Sequence, residues 1–270
     1  MMALIRRVAM IGVLALWSLP LCWMVLASLR PESALYDATA TASTGFNWDH
    51  YGALFAERRF WQPVVTSIVV ASTTTLLALL VAVPCAYAMA RLHFRFKRAL
   101  MAAVLAISTF PQVSIVPSLF LILRSLGLID TIPGLVLPYL TFAMPLAVWL
   151  MTGFFRQLPA DLEEAARLDG ASRLRAALEV AVPLAAPAIA TTAILTFLYA
   201  WNEFLFALSF TVSPNRQTVP VAIVLLQGRY QVPWGQILAA AVVASVPVAV
   251  VVLTFQRRIV KGLTTGAVKG

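Results

Sequence analysis

The sequence predicts an all-α integral membrane protein, a bundle of six transmembrane helices, and three observations carry that expectation. Of 270 residues, 61% are hydrophobic and 11% charged, where a soluble domain carries about a quarter charged residues. Six apolar stretches each reach the roughly 20 residues that a helix needs to cross about 30 Å of hydrocarbon. These stretches lack period-two alternation, and lipid offers no partner to an open sheet edge, so helices are the spanning structure available.

The first run, 8–28, follows Arg6 and Arg7. Val25-Leu26-Ala27 resembles a weak signal-peptidase site, but the run is longer than a signal-peptide core, so a retained span is expected. Further spans are expected at 64–90, 99–123, 132–152, 183–208 and 237–255. Pro20, Pro84, Pro111, Pro117, Pro138, Pro145, Pro187 and Pro247 lie within these runs, and each removes a backbone donor. Simple curvature and functional hinges both fit that pattern. The whole chain, 1–270, reads as one transmembrane domain, with a distinct region at about 158–183 and a tail at about 256–270.

The formal net charge is +9, and its distribution is topological. Counting the loops alternately puts fourteen Lys and Arg on the side of both termini and six on the other. The positive-inside rule then places both termini in the cytoplasm of a multi-pass protein. Charges clustered between apolar runs are unlike a nucleic-acid-binding stripe, so no nucleic acid partner is expected. Cys22 and Cys85 lie inside apolar runs, and His50 and His93 stand apart, so neither a disulfide framework nor a metal centre is expected. A glycine-rich phosphate loop with its Lys is missing, as are His-Glu-x-x-His and the nucleophile elbow, so neither ATP hydrolysis nor intramembrane proteolysis is expected of this chain.

Between the fourth and fifth spans, Leu158-Pro159-Ala160-Asp161-Leu162-Glu163-Glu164-Ala165-Ala166-Arg167-Leu168-Asp169-Gly170 differs from the rest. Pro159 suits a first helical turn, and Asp161, Glu163 and Glu164 place negative charge at its positive end. Glu163 and Arg167 have the spacing of a surface ion pair. Gly170 can end the helix in a left-handed turn, and Ser172 can cap a second helix running into Pro183. At 1.5 Å per residue the first helix is about 15 Å long, too short to cross a membrane. With Leu158, Leu162, Ala165 and Ala166 near one face, it is expected to lie on the membrane or in a partner's cleft.

Glu164-Ala165-Ala166, Gly170 and Val180-Ala181-Val182-Pro183, at their spacing, resemble the EAA motif of permease subunits in ABC importers, with Val180 and Val182 where the family has isoleucine and leucine. Phe197-Leu198-Tyr199-Ala200-Trp201-Asn202-Glu203-Phe204 is similar to the fifth span of the carbohydrate-uptake, maltose-type branch. Lys261-Gly262-Leu263-Thr264 and the residues to Gly270 look like its tail. The resemblance implies the type I importer fold and a coupling helix in which Glu164, Ala165, Ala166, Asp169 and Gly170 dock into a cytoplasmic ATPase. It also implies a second permease subunit, giving a heterodimer, two ATPase copies that bind ATP and Mg in place of any cofactor here, and an extracytoplasmic binding protein that delivers a carbohydrate. A secondary carrier, the competing class, often uses intramembrane ionisable groups or inverted repeats. Only one ionisable residue falls within an expected span.

That residue is Glu203, roughly 30 Å from the basic end by residue count. An unpaired carboxylate in hydrocarbon costs several kcal/mol, so Glu203 is expected to face the bundle interior. Tyr199, Trp201, Asn202 and Glu203 are candidates for the substrate pathway or gate, with sugar contact and helix–helix bonding both open. The outer loop expected over 211–236 brings Asn215, Arg216, Arg229 and Trp234 forward as candidate docking residues for the binding protein. An interfacial aromatic belt is the alternative there. A reporter fused after Gly270 should prove cytoplasmic and one inserted near Asn47 or Asn215 external; the opposite result at Gly270 removes the six-span topology.

Overall fold

The computed structural model describes residues 2–36, 45–228 and 232–267, and among these every regular element is helical. The chain runs through α1 (Met2–Ser28), α2 (Glu32–Tyr36), α3 (Asp49–Ala56), α4 (Trp61–Arg91), α5 (Lys97–Ser108), α6 (Gln112–Ser125) and α7 (Ile132–Gln157). It continues through α8 (Asp161–Leu168), α9 (Arg173–Ala176), α10 (Val182–Leu184), α11 (Ala186–Asn202), α12 (Leu205–Phe210), α13 (Val219–Val224) and α14 (Trp234–Ala267). A π turn, Ala177–Ala181, joins α9 to α10, and a 3-10 turn, Pro214–Arg216, precedes α13.

Four helices are long and apolar enough to cross a membrane unbroken: Ala9–Ser28, Trp61–Arg91, Ile132–Gln157 and Trp234–Phe255. Six spans result when two bent pairs are each taken as one. The expected third span is not straight: α5 and α6 meet at 90°. Pro111 stands at that corner as the residue before α6, because proline disfavours helix in its predecessor and donates no backbone bond. The expected fifth span is bent by 70° between Arg173–Leu184 and Ala186–Asn202. It also stops at Asn202 rather than continuing to residue 208. Pro20, Pro84, Pro117, Pro138, Pro145 and Pro247 stay inside continuous helices. Proline position within the fold, not proline content, separates corners from curvature.

The centre of the bundle is α4 against α7 and α11. One stripe of α4 is built from small residues, Ser67, Ala71, Thr74, Ala78, Ala82 and Ala86, all buried. Small side chains let helix backbones approach closely, which matters in lipid because apolar burial there brings no hydrophobic gain. Facing them, α7 presents Leu135, Tyr139, Ala143, Ala147, Met151 and Phe155 on a buried face with a four-residue repeat. The outward apolar side chains, such as Leu16 and Trp17 of α1 and Val250 and Leu253 of α14, are exposed as lipid-facing groups should be.

Two ends of the bundle are defined by polar contacts. At the basic end, the α4 terminus, the α7 terminus and α8 come together. At the opposite end, Thr66 Oγ1 donates to the Asn215 carbonyl at 3.1 Å, and Val219 N donates to Ser67 Oγ at 2.8 Å. The expected outer loop over 211–236 is therefore not a free loop: α13 packs on α4 with Val219 and Val221 in the core.

Asp130 holds that end together. Its carboxylate accepts from Val212 N at 2.9 Å, Ser213 N at 3.0 Å and the Ser213 hydroxyl, while its own N donates to the Phe210 carbonyl at 2.8 Å. Partial burial works against the charge on Asp130. The bonds from Ser213 and Val212 and the nearby Arg216 outweigh it and hold the carboxyl below its ordinary value. A depressed value means a stabilisation present above the unfolded-state value and lost as pH falls through the folded-state one. Thermal unfolding in detergent should therefore show Asp130→Asn destabilised by on the order of 1–2 kcal/mol at neutral pH, and less sensitive to acidification than the wild type.

Candidate functional site

The element between the fourth and fifth spans forms as a free-standing helix. α8 has eight residues, and its C-terminus closes as a Schellman motif: Gly170 N donates to the Arg167 carbonyl at 3.1 Å and Ala171 N to the Ala166 carbonyl at 3.0 Å. Gly170 has φ +95, a conformation L side chains rarely adopt. Ser172 then caps α9 by accepting from Arg175 N at 3.2 Å. The Gly170 turn and the Ser172 cap thus take their expected places. The second helix, however, loosens into the π turn before Pro183, with Val182 N donating five residues back to Ala177. Proline removes the next donor, and the wider turn accommodates its ring.

The orientation of α8 corrects the amphipathic reading. Its buried residue is Glu163, while Leu162 and Leu168 are exposed, the latter at 89%. Glu163 does not pair with Arg167. Its Oε1 accepts from Arg91 Nε at 2.7 Å and its Oε2 from the Tyr87 hydroxyl at 2.6 Å. Arg91 Nη2 also donates to the Leu158 carbonyl at 2.9 Å, which the end of α7 leaves free. Tyr87 lies edge-on to Phe155, ring centroids 5.7 Å apart, beside a cluster of Ala86, Met151, Phe155, Ala181, Ala185 and Ala188. Two charge-assisted bonds at this largely buried site win over the single exposed i,i+4 pair, because water competes for them less. Truncating one partner of such a pair costs about 3–5 kcal/mol.

With its carboxylate turned inward, α8 turns Leu162, Glu164, Ala165, Leu168, Asp169 and Gly170 outward, and Ala166 is half-buried. A cleft of about 760 Å³ separates it from residues 90–94, with Arg91, His93, Glu164, Arg167 and Arg173 in its walls.

At the end of α11 the four pathway candidates are divided. Trp201, 3% exposed, stacks on Phe197 with centroids 5.9 Å apart. Glu203, 6% exposed, is extended and accepts from Phe206 N at 2.9 Å and Ala207 N at 3.2 Å, capping α12. The Tyr139 side chain faces the same carboxylate. Tyr199 is half-buried and its hydroxyl accepts from Gln112 Nε2 at 3.0 Å, while Asn202 is exposed and donates to the Leu198 carbonyl at 2.7 Å.

The described candidate docking residues lie on different elements. Asn215 and Arg216 are exposed on the 3-10 turn, Trp234 opens α14, and Arg229 lies outside the described residues. Trp234 borders a cleft of about 870 Å³ with Glu32, Tyr36, His50, Arg58 and Gln236. There Glu32 accepts from Gly235 N at 3.0 Å, and His50 Nε2 donates to the Arg30 carbonyl at 2.9 Å. No group of three or more metal-ligating side chains occurs among the described residues.

Residues 75–265 match the family described as "Binding-protein-dependent transport system inner membrane component". The chain belongs to this family. The permease is 47% identical to the trehalose transport system permease protein SugB of Mycobacterium tuberculosis, over 93% of this chain and 92% of that one. It is 40% identical to the sulfoquinovosyl glycerol transport system permease protein SmoH of Agrobacterium fabrum, over 93% and 88%. It is 38% identical to the trehalose/maltose transport system permease protein MalG of Thermococcus litoralis, over 93% and 91%. Its fold matches a solved bacterial ABC transporter involved in the import of the acidic polysaccharide alginate, with a TM-score of 0.77 at 24% identity, covering 94% of this chain and 95% of that one. The permease is thus a multi-pass membrane component of an ABC transporter and not an enzyme.

Sequence reasoning passed over Arg91 and Tyr87, which lie 72 and 76 residues before Glu163. Two acidic residues side by side, Glu163 and Glu164, were the available signal: on an eight-residue helix they cannot both face one partner. Because the space around Gly170 is open and only its φ is demanding, Gly170→Ala should cost about 1 kcal/mol and Gly170→Val more. Thermal unfolding of the detergent-solubilised permease should rank them in that order.

Proposed function

We propose that this permease forms half of the translocation path of an ATP-driven carbohydrate importer, paired with a second, different permease subunit and served by two copies of a cytoplasmic ATPase. Both termini and α8 lie on the cytoplasmic side, in keeping with the charge asymmetry. An extracytoplasmic binding protein delivers a sugar to the opposite end. The substrate class follows from relatives named for trehalose, maltose and sulfoquinovosyl glycerol transport.

The observation that carries the coupling role is the outward face of α8. Leu162, Ala165 and Leu168 are three apart and exposed beside Glu164 and Asp169, a small apolar ridge with a charged flank. Such a ridge suits a groove on a partner protein in the helix-in-groove manner. Glu164, Ala165, Ala166, Asp169 and Gly170 would meet the ATPase. ATP binding then biases the bundle between inward and outward openings. At the far end of α11, Tyr199 and Asn202 line the path, while Trp201 and Glu203 fix the gate from behind, each already engaged by the permease itself. Asn215, Arg216, Arg229 and Trp234 receive the binding protein.

Reconstitution with the ATPase and binding protein in liposomes tests this. Uptake of labelled trehalose, or of another sugar captured by that binding protein, should require ATP and the binding protein. Uptake driven by an ion gradient without either would overturn the proposal.

A further inference from the structure

We infer that Arg91, Glu163 and Tyr87 form the link through which α8 moves α4, and that α4 carries that movement across the permease to the segment at 214–219. The inference rests on α8 being the ATPase-docking helix.

The covalent route out of α8 is soft on both sides. Towards α7 the chain is extended at Leu158. Towards α11 it passes the Gly170 turn, the π turn at Ala177–Ala181 and the 70° bend. A force applied to α8 would be absorbed by backbone rotation at those points before reaching either span. The non-covalent route is stiffer. Two carboxylate oxygens are held by two donors from α4 at 2.6 and 2.7 Å, and the same Arg91 grips the Leu158 carbonyl. The side chains of Arg91 and Glu163 are 16% and 11% exposed, where the cleft beside α8 reaches them, so water competes for them less than at an open surface.

α4 suits transmission. It is continuous over 31 residues, about 45 Å at 1.5 Å per residue. Its far end bonds the outer segment at two points, Thr66 to Asn215 and Ser67 to Val219. The backbone carbonyl of Asn215 and the amide of Val219 therefore follow any axial shift or tilt of α4. Occupancy of the outer face and the position of α8 become reciprocally linked, as any coupling between two binding events must be. Glu163 and Arg91 act here as positioning residues, since both point away from the outward face of α8.

The test uses the full complex in liposomes, with Glu163→Gln, Arg91→Met and the double variant. ATPase retained on purification, stimulation of ATP hydrolysis by sugar-loaded binding protein, and sugar moved per ATP are read together. Each single variant should keep its ATPase but lose stimulation by about fivefold or more and move less sugar per ATP. The double variant should be no worse than the singles, because both remove one link. Wild-type stimulation and stoichiometry in intact variant complexes would overturn the inference, as would loss of both single variants from the membrane, which would make the contact a folding element. Failure of Leu168→Cys, in an otherwise wild-type permease, to crosslink to the ATPase would instead overturn the docking reading, so the two failures are distinguishable.

Discussion

Backbone groups inside a bilayer have no water to bond, so every interruption of a helix must be closed by the protein itself. That constraint organises this permease. Where α7 ends, Arg91 takes the Leu158 carbonyl. Where α4 ends, Lys97 Nζ donates to the Leu92 carbonyl at 3.2 Å. Where α11 stops, Glu203 accepts the first amides of α12. Thr131 caps α7 by accepting from Gly134 N at 3.2 Å, and Ser67 accepts the first amide of α13. These polar side chains bond the backbone where it turns.

This accounts for the burial of Glu163 and Glu203 without invoking chemistry. A carboxylate in a low-dielectric site is tolerated when each oxygen has donors. Glu203 finds them on the peptide backbone three and four residues ahead, so it stabilises a local corner. Glu163 finds them 72 and 76 residues away, so it joins separate parts of the chain. The same residue type does different work according to the sequence distance of its donors.

The two ends of the permease are held by different contacts. At the basic end, aromatic and alanine packing around Phe155, Met151 and Ala185 backs the Arg91–Glu163 contact. At the opposite end, Phe206 and Phe210 of α12 stack on one another at 5.7 Å, and Phe206 packs at a tilt against Phe142 of α7 at 5.6 Å. Between them α4 offers a small-residue face that brings its backbone close to α7.

By itself the sequence determined the helical class, the number of apolar runs, the alternation of charge between ends and the α8 turn with Gly170 and Ser172. Those features depend on hydropathy, helix length and local backbone preference, which are properties of neighbouring residues. The motif Glu164-Ala165-Ala166 likewise announced the family without a fold. Tertiary structure decided which face of α8 turns outward, that Glu163 bonds Arg91 rather than Arg167, that the third apolar run breaks at a right angle, and that Val219, Val221 and Ala222 enter the core. Each of these depends on a partner far along the chain. In a medium without water, a polar group bonds whichever donor or acceptor the packing brings within 3 Å, and no local pattern encodes that meeting.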